Sequence, residues 1–79
     1  MKLVREPISI TELKKMSEKM FEGLVKAVVD IEQEIMVVNA EFHADEEFFL
    51  LEENNSKQEN LWGINLYPNK MTTEEFIII

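Results

Sequence analysis

The sequence predicts an α+β fold in which one N-terminal helix packs on a small antiparallel sheet of about four to five strands. Three observations lead there. A stretch opening at Ser9 has apolar residues at helical spacing. Most of the remainder is rich in Val, Ile and aromatic residues that alternate with polar ones, the pattern of half-buried strands. Turn-forming residues at Asn54-Asn55-Ser56-Lys57 and at Pro68-Asn69 punctuate it.

In chain order, residues 2–5 read as a short strand ended by Pro7. Ser9 with Glu12 three residues on forms a capping box, and Ile8 and Leu13 are placed for a hydrophobic staple. Ile10, Leu13, Met16, Met20, Phe21 and Leu24 follow helical spacing, and Gly23 is a stop, so a helix is expected over about 10–22. Residues 24–38 fit either period. Seven Val or Ile in those fifteen favour a strand, because β-branched side chains are stiff in helices. Asn39-Ala40 then reads as a tight turn, residues 41–52 as a second strand, 59–67 as a third, and Thr73–Ile79 as the start of another.

Seventy-nine residues suit one small domain over 1–79, or the N-terminal part of a slightly longer one. The chain has no cysteine, which removes disulfides, thiolate metal sites and cysteine nucleophiles. Small secreted domains usually need disulfides, so a cytoplasmic location is expected. No apolar run approaches the roughly 18 residues of a membrane span, and no membrane role is expected. With 16 acidic and 8 basic residues the net charge is −8, which opposes nucleic-acid binding. A 46% hydrophobic content is nevertheless high enough to fold.

Three segments carry a family resemblance. They are Val-Val-Asp-Ile-Glu at 28–32, Glu-Phe-His-Ala-Asp-Glu-Glu at 41–47, and Ser-Lys-Gln-Glu-Asn-Leu-Trp-Gly-Ile-Asn-Leu-Tyr-Pro at 56–68. With them the chain resembles a family of short, uncharacterised, mostly bacterial proteins, a domain of unknown function. The likeness extends loosely over the whole chain. It implies a small α+β domain and no established activity. Similar chains usually have glycine at the turn that is Asn39-Ala40 here. They also run on past the position of Ile79 with a polar, arginine-containing segment.

Ten of the sixteen acids lie between Asp30 and Glu59, with only Lys57 to answer them. A two-residue hairpin at Asn39-Ala40 would set Glu34 opposite Asp45, Glu32 opposite Glu47 and Met36 opposite His43. Like charges directly opposed destabilise a sheet, so solvent, a cation or a basic protein partner is expected to offset them. Glu32, Glu34, Asp45 and Glu47, with Asp30 beside them and His43 at the margin, are ligands suited to a divalent cation. The plain alternative is a solvated acidic face, and no other cofactor is expected. His43 could pair with Asp45, but no nucleophile is placed beside it, so no catalytic residue is assigned.

The same pairing would carry Gln33, Glu46 and Asn65 as a polar row across three strands, either a ligand-orienting network or a sheet end near water. Phe49, Trp62 and Ile64 fall on the opposite face. A sheet apolar on both faces needs two covers, and one helix supplies one, which predicts a homo-oligomer. The apolar run at Phe76 and Ile78 points the same way. It would pair with another subunit or be covered by a C-terminal segment following Ile79. The leading functional expectation is a small non-enzymatic binding or protein-interaction domain. The alternatives are a metal-dependent hydrolase using the acidic hairpin, and an acidic decoy for a basic nucleic-acid-binding partner.

Overall fold

The computed structural model describes residues 1–20 and 23–70, and the backbone of Phe76–Ile77. The elements are β1 (Lys2–Val4), β2 (Ile8–Ser9), α1 (Ile10–Ser17), β3 (Val25–Asp30), β4 (Ile35–Val38), α2 (His43–Glu53), β5 (Leu61–Leu66) and β6 (Phe76–Ile77). Four strands form an antiparallel sheet in the order β1-β4-β3-β5. A separate two-stranded ladder joins β2 to β6. The fold is α+β as expected, with two helices rather than one.

The N-terminal helix begins where its capping residues place it. Ser9 is extended, and its Oγ accepts from the Glu12 amide at 3.1 Å. Ile8 and Leu13 are both buried, as a staple requires. The box is only half closed, because the Glu12 carboxylate pairs with Lys2 Nζ at 2.5 Å. The regular helix stops at Ser17, earlier than its apolar spacing suggests. The Ser17 hydroxyl donates to the Lys14 carbonyl at 2.7 Å, a local bond that competes with the helical ladder. Gly23 then holds φ at +66°, the left-handed region that glycine enters without steric cost.

The stretch 24–38 is not one strand but two. Asp30 ends β3, the chain reverses over Ile31–Glu34, and β4 returns with Ile35 opposite Asp30. Glu34 takes φ +58° and donates its amide to the Asp30 carbonyl at 2.9 Å. The four-residue turn resets the alternation. Val25, Ala27, Met36 and Val38 therefore share one core with Val4, Ile8, Ile10 and Leu13 beneath α1. Val28, Ile35 and Val37 point to the other face.

The larger correction concerns 41–52, expected as a strand and found as α2. Asn39 leaves β4 with φ +72°, so Asn39-Ala40 leads into a helix and closes no hairpin. Ala, Glu and Leu along this stretch are good helix formers. A strand would bury Phe42 and Phe48 together, whereas they stand 60% and 63% exposed. The buried residues are Glu46 and Leu50, one helical turn apart. Leu50, with half-buried Phe49, closes the second core over Val28, Ile35 and Val37. The cover thought to lie outside the chain is therefore α2 itself.

Residues 61–66 form β5 much as expected, and Phe76–Ile77 pair with Ser9 and Ile8 as a short strand. Ile78 lies outside the described residues. Since the Ser9 hydroxyl satisfies a first-turn amide of α1, Ser9→Ala should lower stability by about 1 kcal/mol. An unchanged denaturant midpoint would contradict the cap.

Candidate functional site

Two buried carboxyl groups and one open sheet edge hold the molecule's chemistry. The first carboxyl is Asp30, at the end of β3 and almost wholly buried. Its Oδ1 accepts from the amides of Glu32 and Gln33 at 2.9 and 3.0 Å. Its Oδ2 accepts from Gln33 Nε2 at 2.9 Å and from Ser56 Oγ at 2.6 Å. Burial pushes this carboxyl up, but the bonds from Ser56, Gln33 and Glu32 outweigh it and hold Asp30 below its ordinary value of 3.8. Asp30 is thus an ionised cap for the β3–β4 turn that also grips the loop after α2.

That loop is fixed from the other side as well. Asn55 takes φ +55°, and the Ser56 amide returns to the Leu50 carbonyl at 3.1 Å, closing the end of α2. Gln33 Nε2 reaches the Asn54 carbonyl at 2.8 Å, and Arg5 donates to Asn54 Oδ1 at 3.1 Å. An open cleft of ≈ 300 Å³ lies over the node, lined by Glu32, Asn55, Lys57, Glu59 and Asn60 among others.

The second carboxyl is Glu46, buried in the first turn of α2. One oxygen accepts from the Ala40 amide at 3.1 Å, and Oε1 has no partner among the described residues. Burial dominates and raises its pKa from 4.5 to about 8, against the opposing pull of the Ala40 amide, the N-terminus and Lys26. Lys26 itself donates to the Glu41 carbonyl at 2.5 Å and lies 5.3 Å from the centroid of the Phe42 ring. Glu46 is therefore protonated at neutral pH.

The polar row does not form. Gln33 sits in the β3–β4 turn, Glu46 is buried in the first turn of α2, and Asn65 is exposed on β5 opposite Lys26. The row assumed a strand over 41–52, and the helix removes the register it needed. The same change disperses the acidic set. Glu32 and Glu34 are exposed on the turn, while His43, Asp45 and Glu47 lie along α2. Among the described residues, no group of three or more His, Asp or Glu is placed to hold a metal ion. His43 instead lies over Gly63, where an added Cβ would come 3.4 Å from the ring. Its Nε2 is 2.8 Å from the Ile64 carbonyl, and since a carbonyl can only accept, Nε2 carries the proton.

The expected interaction residues divide. Phe49 packs against the α2 core, Phe76 has its backbone in β6, and Ile78 is outside the described residues. Trp62 and Ile64, 61% and 37% exposed, lie on β5. Backbone bonding shows which way that strand faces. Lys26 and Asp30 accept from Asn39 and Glu34, so they and Val28 turn toward β4. Ile31 donates to Asn60, so the alternate residues Val25, Ala27 and Val29 turn toward β5. Their partners Leu66, Ile64 and Trp62 are committed to that ladder. The N–H and C=O groups of Leu61, Gly63 and Asn65 point off the free edge, which no strand occupies among the described residues.

Sequence reasoning treated Asp30 as one acid among many and missed its role with Gln33 and Ser56. A signal existed: an aspartate whose carboxylate can bond amides two and three residues on forms its own turn.

The architecture is an antiparallel four-stranded sheet covered by α1 on one face and α2 on the other, with β5 at an open edge. The chain belongs to the family described as "Protein of unknown function (DUF5674)", whose model matches residues 2–79. No curated protein and no solved structure matches it.

The two carboxyls act oppositely with pH. Asp30, held low, contributes stability above its unfolded value of 3.8 that is lost as pH falls through its folded value. Asp30→Ala should cost about 3 kcal/mol at neutral pH, because four part-buried hydrogen bonds lose their charged acceptor. A loss below 1 kcal/mol, on the scale of an ordinary surface change, would contradict the node. Glu46, held high, contributes most below 4.5, and its contribution falls as pH rises toward about 8. Glu46→Gln should remove that decline. Chemical denaturation across this pH range reads it, and a variant with the same slope as the parent would show that Glu46 is ionised.

Proposed function

We propose that this chain is a small non-enzymatic protein-interaction domain that binds an extended segment along the free edge of β5. The observation that carries the reading is the outward row of backbone groups at Leu61, Gly63 and Asn65, flanked by exposed Trp62 and Ile64. Added strands take their affinity from such main-chain groups and their selectivity from alternate side chains. Natural sheet edges are commonly blunted by shortness, charge or proline. The opposite edge, β1, has three residues, one of them Lys2. By contrast β5 has six residues and no charge, proline or lysine. The bonding of Asp30 supports the non-enzymatic side of the reading, since each of its oxygens already accepts twice from protein donors.

The test is selection from a library of extended seven-residue peptides, read by amide exchange and by fluorescence of the single tryptophan. Selected peptides should slow exchange at Leu61, Gly63 and Asn65 and shift Trp62 emission to the blue, and Ile64→Lys should abolish both. Peptides that bind without protecting these amides, or equally well to Ile64→Lys, would overturn the reading.

A further inference from the structure

We infer that the occupant of the β5 edge is a second copy of this chain, paired antiparallel about a two-fold axis at Gly63. The inference rests on the edge-binding reading above and names its partner.

The strand is self-complementary about Gly63. Setting Gly63 against its own copy places Leu61 opposite Asn65 and Trp62 opposite Ile64. Leu61, Gly63 and Asn65 are the residues whose backbone groups no described strand uses, so this register joins outward donors to outward acceptors in about six hydrogen bonds across the two-fold. In the same register each Trp62 meets the partner's Ile64 in the closer, non-hydrogen-bonded position. Aromatic and β-branched residues make favourable cross-strand pairs. Both lie on the α1 side, because their partners in β3, Val29 and Ala27, border that core. A slip by one residue would set committed backbone groups against free ones, and among registers that keep the alternation the Gly63-centred one joins all three outward residues of each copy.

Charge permits a second copy along this strand. The chain carries −8, and two copies would repel wherever acidic surface met acidic surface. Residues 61–67, Leu-Trp-Gly-Ile-Asn-Leu-Tyr, contain no ionisable group of either sign at neutral pH. A β5–β5 seam thus brings two copies together along an uncharged strand. Gly63, at the axis, presents no side chain of its own, and the His43 ring fills the space beside it on the α2 side. The result is one eight-stranded sheet. Its seam, one strand about 20 Å long with two Trp–Ile pairs, is at the small end of specific interfaces, so association in the micromolar range is expected.

Sedimentation velocity on the 79-residue chain from about 1 μM to about 1 mM brackets that range. A concentration-dependent monomer–dimer equilibrium is expected, with Trp62 emission moving to the blue as the dimer forms. Asn65→Pro removes an amide that β3 does not use, so it should leave the far-ultraviolet circular dichroism intact and shift the equilibrium at least tenfold toward monomer. Ile64→Lys should do the same by removing both Trp62–Ile64 cross-strand pairs that flank the two-fold. Register is read by mixing Trp62→Cys and Ile64→Cys proteins under oxidising conditions. The chain has no other cysteine, and mixed disulfides should outnumber either self-pair. A parent chain that stays monomeric throughout overturns the inference, as does a dimer that survives both Asn65→Pro and Ile64→Lys. If the parent is monomeric but selected peptides still protect Leu61, Gly63 and Asn65, the edge-binding reading stands and only the second copy is excluded. If neither occurs, both fall.

Discussion

The carboxylate of Asp30 stands where three parts of the chain meet, and the arrangement of both sheet faces depends on it. Its Oδ1 shapes the β3–β4 turn through the amides of Glu32 and Gln33. Its Oδ2 holds Ser56, the residue that also closes the C-terminal end of α2 through the Leu50 carbonyl. One buried group therefore sets both the reversal that pairs β3 with β4 and the position of the helix that covers them. Burying a carboxylate is costly, and here four donors offset the cost by replacing its hydration shell. Gln33 extends the network to Asn54, which Arg5 also contacts, so the edge of β1 is tied to the same node.

Glu46 is the counter-example within the same molecule. It too is a buried acid, but it meets one backbone amide rather than four donors. Where donors are scarce, desolvation wins and the group keeps its proton; where they are plentiful, the charge is retained. The two groups also sit at opposite ends of α2, Glu46 in its first turn and Ser56, the partner of Asp30, just past its last. The helix's own end charges are less favourable: acids occupy its first turn, where the dipole welcomes them, but Glu52 and Glu53 occupy its last. Tertiary contacts rather than helix electrostatics hold α2 on the sheet. Leu50 alone, fully buried, contributes about 2 kcal/mol.

The two edges of the sheet are unequal by construction. β1 is short and begins with a lysine that is engaged by Glu12. β5 is twice as long, lacks charge, and carries the largest aromatic side chain at high exposure. His43 and Gly63 fit together on its α2 side, so α2 positions the strand without closing its edge. The asymmetry sets β5 apart as the longer, uncharged edge of the sheet.

Local chemistry was legible in the sequence wherever one residue's bonding is settled within a turn. Ser9, Ile8 and Leu13 marked the start of α1 because a cap and a staple need only neighbours. Turn residues before Leu61 and at Pro68 bracketed β5 for the same reason. The α+β class, the negative charge and the apolar demand of both sheet faces could also be read without coordinates. What the sequence did not display was α2. Its buried stripe contains Glu46, so a polar residue occupies the position where a helical period would show an apolar one, and Phe42 and Phe48 alternate like a strand while facing outward. The Asp30 turn was half visible, because the aspartate itself can cap a turn, but Ile31-Glu32-Gln33-Glu34 contains no usual turn former and Asp30 is also held by a serine 26 residues away. Only the tertiary structure decides such cases, since whether a carboxyl is buried, and whether it keeps its charge there, depends on donors brought from distant parts of the chain.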